Sequence, residues 1–160
     1  MTRRSWLLLF LATLPIVSCR RAKQPGPDPI ARAYDVEIDW NDPQRVIPLN
    51  YTQAQGKRLF YTYCVWCHAD ATPAGPSNRS NVNPTPALAN DGVVLNPMSD
   101  QLLQNTITLG GSAMGKSAMM PAWGKTLSQK DVQALIAFMR AIAQPPYAPP
   151  ARPGAQYNVK

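Results

Sequence analysis

The sequence predicts an all-α domain of about three to four helices, lying between two proline-rich arms. Its 160 residues are enough for one buried core. Sixteen of the 17 prolines lie in three regions, residues 15–48, 73–97 and 145–153. The proline-free stretches 49–72 and 122–144 carry apolar residues at helical spacing. We therefore expect the compact domain at residues 51–143.

Residues 1–18 have the layout of an export signal. Arg3 and Arg4 precede an apolar run from Trp6 to Val17, which is too short to span a bilayer. The run ends in Ile-Val-Ser-Cys, which resembles the bacterial lipobox, and this resemblance implies that Cys19 is lipid-modified. Two or three acyl chains, at about 0.8 kcal/mol per buried methylene, make a stable anchor. An ordinary cleaved signal and an uncleaved N-terminal helix are the alternatives, and the mature protein is expected on the periplasmic or other extracytoplasmic side of a bacterial membrane.

Residues 19–50 are predicted to be an extended, lipid-anchored linker, because closely spaced prolines favour extended backbone. Within it, the segment Tyr34–Trp40 alternates acidic and apolar residues. That alternation predicts a short strand or a strap against the domain. Residues 144–160 form a second proline-rich arm, a tail that either docks on a partner or is disordered.

The first two helices are predicted from their caps and from apolar spacing. Asn50 or Thr52 caps a helix that runs to about Tyr63. A shorter helix follows over Ser99–Leu109, and Gly110-Gly111 ends it.

The last helix begins after Ser128, with Asp131 placed to complete a capping box in which aspartate replaces glutamate. Its apolar stripe is expected to be buried. The stripe consists of Val132, Leu135, Ile136, Met139 and Ile142.

Residues 64–68, CVWCH, contain the one histidine of the chain. A dithiol redox pair would need a βαβ pattern nearby, and none is visible. A structural zinc site needs four ligands, but the sequence has one further cysteine, Cys19, and no further histidine. Covalent haem c fits, because Cys64 and Cys67 can each form a thioether to the macrocycle while His68 becomes the proximal iron ligand.

A methionine is expected on the other side of the iron. Met139 lies in an apolar helical stretch typical of core packing, and Met98 comes too early in the chain. The loop GGSAMGKSAMMPAWG is glycine-rich, lies between two helices and contains Trp123, and Pro121 fixes its backbone directly after Met120. We therefore expect Met120 as the distal ligand, ahead of its two neighbours in the loop, Met119 and then Met114.

The chain from about Tyr51 to Ala143 resembles a class I monohaem cytochrome c. The resemblance rests on three motifs, QGKRLF, CVWCH and MPAWGKTLSQKDVQALIAFMRAI. It implies a small cytochrome c fold around one covalently bound haem. It also implies that Gly56 and Phe60 of the first helix pack on Leu135 and Phe138 of the last.

The same resemblance implies further haem contacts. A proline carbonyl usually orients the proximal imidazole, and Pro86 is the match, with Pro84 a possible substitute. Leu88 would pack on the haem, and the Met-Pro-Ala-aromatic-Gly sequence carries the distal methionine, which maps onto Met120. The chain departs from the family after His68, where alanine replaces the common glycine. The path of loop 69–85 is therefore open.

The charge distribution argues against nucleic-acid binding. The formal net charge is +7, but residues 51–143 hold seven lysines and arginines against four aspartates, and much of the excess lies near the N-terminus. No basic helix face appears. A mildly basic surface instead suits an acidic protein partner, and we expect Lys57, Lys116 and Lys125 to form a steering rim.

An iron with both axial positions filled has no open site for a substrate. We therefore expect an electron carrier rather than an enzyme, tethered to the membrane and acting between respiratory-chain components. Partners would be a quinol-oxidising complex or a dehydrogenase and a terminal oxidase. A free shuttle and a fixed subunit of a larger complex both fit. The alternative is a haem sensor or peroxidase with an open or displaceable distal site.

Overall fold

The computed structural model describes residues 34–150. The predicted signal peptide, Cys19, the linker up to residue 33 and the tail from residue 151 lie outside the described residues. The described part is mainly helical, as predicted, and adds two small antiparallel sheets of two strands each. No helix within it is long and apolar enough to cross a membrane.

The elements follow one another from an N-terminal hairpin to a C-terminal helix. The strands are β1 (Asp35–Asp39), β2 (Asp42–Leu49), β3 (Ala71–Thr72) and β4 (Gly75–Pro76). The helices are α1 (Tyr51–Tyr63), α2 (Val65–His68), α3 (Gly92–Leu95), α4 (Asp100–Ala113) and α5 (Gln129–Ile142). Two short 3-10 turns lie at Arg79–Asn81 and Trp123–Lys125.

Helices α1 and α5 pack directly on each other at a glycine. A side chain at Gly56 would collide with the Ala134 carbonyl and lie 2.8 Å from the Phe138 Cβ, so the two backbones meet there. Phe60 and Phe138 are fully buried, with ring centroids 5.6 Å apart. The predicted packing of Gly56 and Phe60 on the last helix is thus present, with Leu135 buried in the same core and Ala134 as an additional contact of the glycine.

The helix caps follow the sequence closely. Of the two predicted caps of α1, Asn50 is used, and it forms a reciprocal capping box with Gln53. Ser99 caps α4, and Ser128 and Asp131 form the predicted box on α5. Each cap satisfies backbone N–H groups that the first turn of a helix leaves free.

Helix α4 breaks where the sequence predicted its end. Gly110 has φ +79°, a conformation that favours glycine, and the chain then makes one more helical turn to Ala113. The break redirects the chain toward the methionine loop.

The short strand predicted within Tyr34–Trp40 is present as β1, but the residues after it, predicted as extended linker, are folded as well. Residues 35–49 form the β1–β2 hairpin, whose Ile47 and Leu49 are buried in the core. The folded unit therefore begins before residue 51. The prediction missed this because the second strand carries two prolines and several polar residues, which conceal its two buried positions.

Strand β1 buries two acidic residues and exposes two apolar ones. Glu37 and Asp39 are buried, while Val36 and Ile38 face outward. Burial is tolerated because the carboxylates are partnered. Glu37 accepts hydrogen bonds from the Tyr61 hydroxyl (2.8 Å) and the Trp40 indole (3.2 Å) and pairs with Lys57 at 3.4 Å.

The first residues of the predicted C-terminal tail, 144–147, contact the folded domain. Gln144 forms backbone hydrogen bonds with Asn90 and Gly92, and the Asn96 amide donates to the Pro145 carbonyl at 2.8 Å. The Arg140 guanidinium lies 4.0 Å from the centre of the Tyr147 ring. These contacts attach residues 144–147 to α3, to Asn90 before it and to α5.

Candidate functional site

One cavity of about 500 Å³ opens between the helices, within the size range of small-molecule and cofactor pockets. Cys64, Cys67 and His68 line it. Its other walls are largely apolar. They include Phe60, Val82, Leu95, Leu103, Ile107 and Leu135.

The two thiols and the imidazole are brought together at the junction between α1 and α2. Cys64 ends α1 and precedes α2, and the backbone N–H groups of Cys67 (3.1 Å) and His68 (3.0 Å) both donate to the Cys64 carbonyl. Both thiols are free. Burial, and then the neighbouring Cys67, raise the pKa of the Cys64 thiol to about 12.

The imidazole of His68 is oriented by a carbonyl. Its Nδ1 lies 2.8 Å from the Ala87 oxygen, and because a carbonyl can only accept, Nδ1 carries the proton. In the neutral ring Nε2 then keeps its lone pair for a metal. Burial lowers the pKa of His68, which also favours the neutral ring.

The predicted orienting residue is wrong by one position. The Pro86 carbonyl accepts from the Arg79 Nε at 2.8 Å, whereas the next carbonyl, that of Ala87, accepts from the histidine. Pro86 still lines the cavity, as do Pro84 and Leu88.

Four methionines line the cavity, namely Met98, Met119, Met120 and Met139. Met114 does not appear among the lining residues. Met119 is 62 % exposed, whereas Met120 is half-buried and packs against the core. Of the two methionines that head the predicted order, Met120 is therefore the better shielded from water. Met98 and Met139, which the sequence did not favour as iron ligands, also line the cavity.

The backbone of Met120 is held by the glycines that break α4. Gly111 N–H donates to the Met120 carbonyl at 3.0 Å, and Met120 N–H donates to the Ser117 carbonyl at 3.2 Å. A Cβ on Gly110 would lie 2.9 Å from the Met120 oxygen. The loop is thus closed tightly on itself behind Met120. Trp123 also lines the cavity and packs on Tyr63, with ring centroids 5.3 Å apart.

Comparison with known families identifies the cofactor of this chain. A family model described as cytochrome c oxidase, cbb3-type, subunit III matches residues 52–139. The chain belongs to this family. Neither a curated protein nor a solved structure matches the chain significantly. The chain is therefore a c-type cytochrome of electron transfer, and its cofactor is one covalently bound haem c.

The residues of this cytochrome fit that cofactor. Two free thiols three positions apart lie at one wall, beside an imidazole whose Nε2 is unprotonated. The remaining lining is mainly hydrophobic and includes thioether sulfurs, which are natural axial ligands of haem iron. Trp66, the second spacer of the motif, is 54 % exposed, whereas Val65 is buried in the core.

The predicted lysine rim is only partly compatible with the cytochrome's geometry. Lys116 lines the cavity and Lys125 is exposed in the 3-10 turn beside it. Lys57 instead turns toward the hairpin, where it pairs with Asp35 (3.6 Å) and Glu37 (3.4 Å) and donates to the Val36 carbonyl. Its role is therefore structural.

Two groups of the site were not predicted from the sequence. The Ala87 carbonyl carries no sequence signal, since any residue supplies a carbonyl. Arg79 also lines the cavity and binds both Asp70 (3.0 Å) and the Pro86 carbonyl. A signal for it did exist, because Arg79 is the one charged residue between positions 71 and 90.

Proposed function

We propose that this cytochrome is a single-electron carrier of a bacterial respiratory chain, with His68 and Met120 as the axial ligands of its iron. It would be lipid-anchored through Cys19 on the extracytoplasmic side of the membrane. It would deliver electrons to a terminal oxidase, as a tethered carrier or as a fixed subunit.

The observation that carries the proposal is that His68 and Met120 line the same cavity as both thiols. In addition, other residues of the chain hold His68 and Met120 in position. His68 is fixed through Nδ1 by the Ala87 carbonyl at 2.8 Å. Met120 is fixed through its backbone by Gly111 and Ser117. Ligands held in this way need little rearrangement when the charge of the iron changes.

The haem, when bound, supplies a reversible one-electron couple. The chain's own residues then shift the reduction potential of this couple. The apolar walls disfavour the extra positive charge of the ferric state, and a thioether ligand favours the ferrous state, so both raise the reduction potential. An iron with two protein ligands has no free position for a substrate, which favours a carrier over an enzyme.

The proposed partner is supported by the family itself, whose description names an oxidase subunit. The fixed-subunit alternative is favoured by one feature of the hairpin. Val36, Ile38 and Val46 are all at least 44 % exposed, and the register pairs Ile38 with Val46, so together they form an apolar outer surface beside the core. An oxidase subunit docked there would cover it.

The test uses the full chain produced with a haem-maturation system. The oxidised wild type is expected to show the weak far-red absorption band of methionine sulfur on ferric iron. Met120→Ala should abolish the band and lower the reduction potential, while the matched variant Met119→Ala should keep both. Loss of the band in Met119→Ala alone would move the ligand to Met119.

The same spectra separate the carrier from a haem sensor or peroxidase. A high-spin wild type that binds carbon monoxide or reacts with peroxide would have an open iron, and the carrier proposal would fail. Membrane attachment is tested independently, since Cys19→Ser should move the protein from the detergent phase to the aqueous phase. A Cys19→Ser protein that stays in the detergent phase would refute the lipid anchor.

A further inference from the structure

Arg79 joins the two chain segments that flank the proximal histidine. It begins the 3-10 turn Arg79–Asn81, and its side chain is 27 % exposed. Its Nη1 lies 3.0 Å from the Asp70 carboxylate, and its Nε donates to the Pro86 carbonyl at 2.8 Å. The same side chain lines the haem cavity.

Each partner of Arg79 lies close to His68 along the chain. Asp70 follows His68 by two residues, and Pro86 precedes Ala87, whose carbonyl binds the imidazole. The backbone of Ala89 also donates to the His68 carbonyl at 3.0 Å. Arg79 therefore connects the segment directly after His68 to the residue directly before the carbonyl that orients the imidazole.

The charge of Arg79 acts on the same site. A guanidinium stays protonated at every accessible pH. Its nearest anion, Asp70, has a side chain that is 71 % exposed, so water screens that carboxylate more than it screens the arginine. A cation in the wall of a low-dielectric cavity is repelled by the extra positive charge of ferric haem.

We propose that Arg79 is a positioning residue of the proximal ligand and that its charge raises the reduction potential of the haem. The positioning acts through the Pro86–Ala87 segment on His68. The charge acts directly across the cavity wall. The inference rests on the proposed role of His68 as the proximal ligand.

Three variants of the haem-loaded full chain separate the two effects. Arg79→Gln removes the charge and the fork of donors. Arg79→Lys keeps the charge but loses the planar fork, which one ammonium cannot reproduce. Asp70→Asn removes the screening anion and leaves the Arg79 bond to Pro86 in place.

The first readout is the ferric-to-ferrous ratio at a fixed ambient potential. Arg79→Gln is expected to raise it about tenfold, which for a one-electron couple is about 59 mV. Arg79→Lys should raise it by less than about threefold, which is about 30 mV on the same scale. Asp70→Asn should lower the ratio. Equal shifts in both arginine variants, or an Asp70→Asn shift in the same direction as Arg79→Gln, would overturn the charge effect.

The second readout is the exchange rate of the His68 Nδ1 proton with solvent, followed by its resonance in the paramagnetic NMR spectrum. Exchange should accelerate in Arg79→Gln and Arg79→Lys and stay near the wild-type rate in Asp70→Asn. An unchanged rate in all three would overturn the positioning role. If Arg79→Gln does not incorporate haem, the other two variants still decide both readouts.

These outcomes are distinct from failure of the proposed function. An open iron would appear as a high-spin spectrum in the wild type, before any variant is made, and a different distal methionine would appear in the Met119→Ala and Met120→Ala spectra. The Arg79 inference instead fails in variants whose wild-type parent keeps its low-spin spectrum.

Discussion

At the scale of single residues, Gly56 determines how closely the first and last helices approach. The space beside its Cα is filled by the Ala134 carbonyl and the Phe138 side chain. A residue with no Cβ is therefore required by packing rather than by backbone conformation, and the cavity wall formed by Phe60 and Leu135 depends on it.

Gly56→Ala is expected to lower the free energy of unfolding by about 3 kcal/mol, because one methyl group must separate two packed backbones. Chemical denaturation of the haem-loaded protein measures this. Arg58→Ala, an exposed change on the same helix, should cost less than about 0.5 kcal/mol. Equal costs for both variants would contradict a close contact at Gly56.

The Ser128–Asp131 capping box gives α5 a pH-dependent contribution to stability. Asp131 accepts hydrogen bonds from the Ser128 hydroxyl (2.6 Å) and backbone N–H (2.9 Å), and these lower the pKa of its carboxyl. A carboxyl with a lowered folded-state pKa stabilises fully above its unfolded pKa of about 3.9. That stabilisation is lost as the pH falls through the folded pKa.

We therefore expect the difference in unfolding free energy between wild type and Asp131→Asn to be constant above pH 5 and to shrink below pH ~4. Denaturation curves recorded between pH 3 and 7 measure it. The double variant Ser128→Ala/Asp131→Asn should show no further pH dependence from this box. A difference that grows as the pH falls would have the wrong sign and would reject this assignment.

At the scale of elements, the break in α4 and the methionine loop act as one unit. Gly110 turns the chain with φ +79°, and the Gly111 N–H holds the Met120 carbonyl. A Cβ at Gly111 would collide with the Ser117 carbonyl and lie 3.2 Å from the Met120 Cβ. The position of the proposed distal ligand is thus determined by a residue nine positions earlier in the chain.

Gly111→Ala is expected to displace Met120 and weaken its bond to the iron. The far-red band of the oxidised protein should be reduced and carbon monoxide binding to the reduced protein should increase at least tenfold. Gly115→Ala in the same loop is the control, because its φ of +66° costs about 1 kcal/mol but its Cβ would meet no atom within 4 Å. An effect of equal size in Gly115→Ala would show that general loop strain, rather than contact with Met120, is responsible.

At the scale of the whole molecule, Arg140 connects three distant parts of the chain. From α5 it donates to the carbonyls of Leu95 (2.7 Å) and Met98 (2.5 Å) and pairs with Asp100 at 2.9 Å. Its guanidinium also stacks on Tyr147 of the tail. Leu95 and Met98 line the haem cavity, so Arg140 holds one cavity wall against the last helix.

Arg140→Met should lower the free energy of unfolding by about 2–3 kcal/mol, because two carbonyls lose a charged donor. Amide hydrogen exchange should accelerate in residues 92–98 and little elsewhere. Lys130→Met removes an exposed charge from the same helix and should leave both measurements unchanged. A uniform rise in exchange over the whole domain would mean that Arg140 stabilises the fold globally rather than this wall.

The sequence by itself determined the helical class and the three longer helices with their caps, and it predicted the set Cys64, Cys67 and His68, which lines one cavity. These features are local. A helix cap is encoded within four residues, a helix within two or three turns, and a haem-attachment motif within five residues. Met120 was also selected locally, by the proline and glycines around it.

The tertiary structure alone decided what depends on segments distant in the chain. Strand β2 was concealed by its two prolines and its polar residues. The burial of Glu37 and Asp39 in β1 depends on Lys57, Tyr61 and Gln144, which come from other parts of the chain. The carbonyl that orients His68 belongs to Ala87, while the neighbouring Pro86 carbonyl binds Arg79. The irregular chain between β3 and α3 has no periodicity to read, so only its folded path brings Arg79 to the histidine.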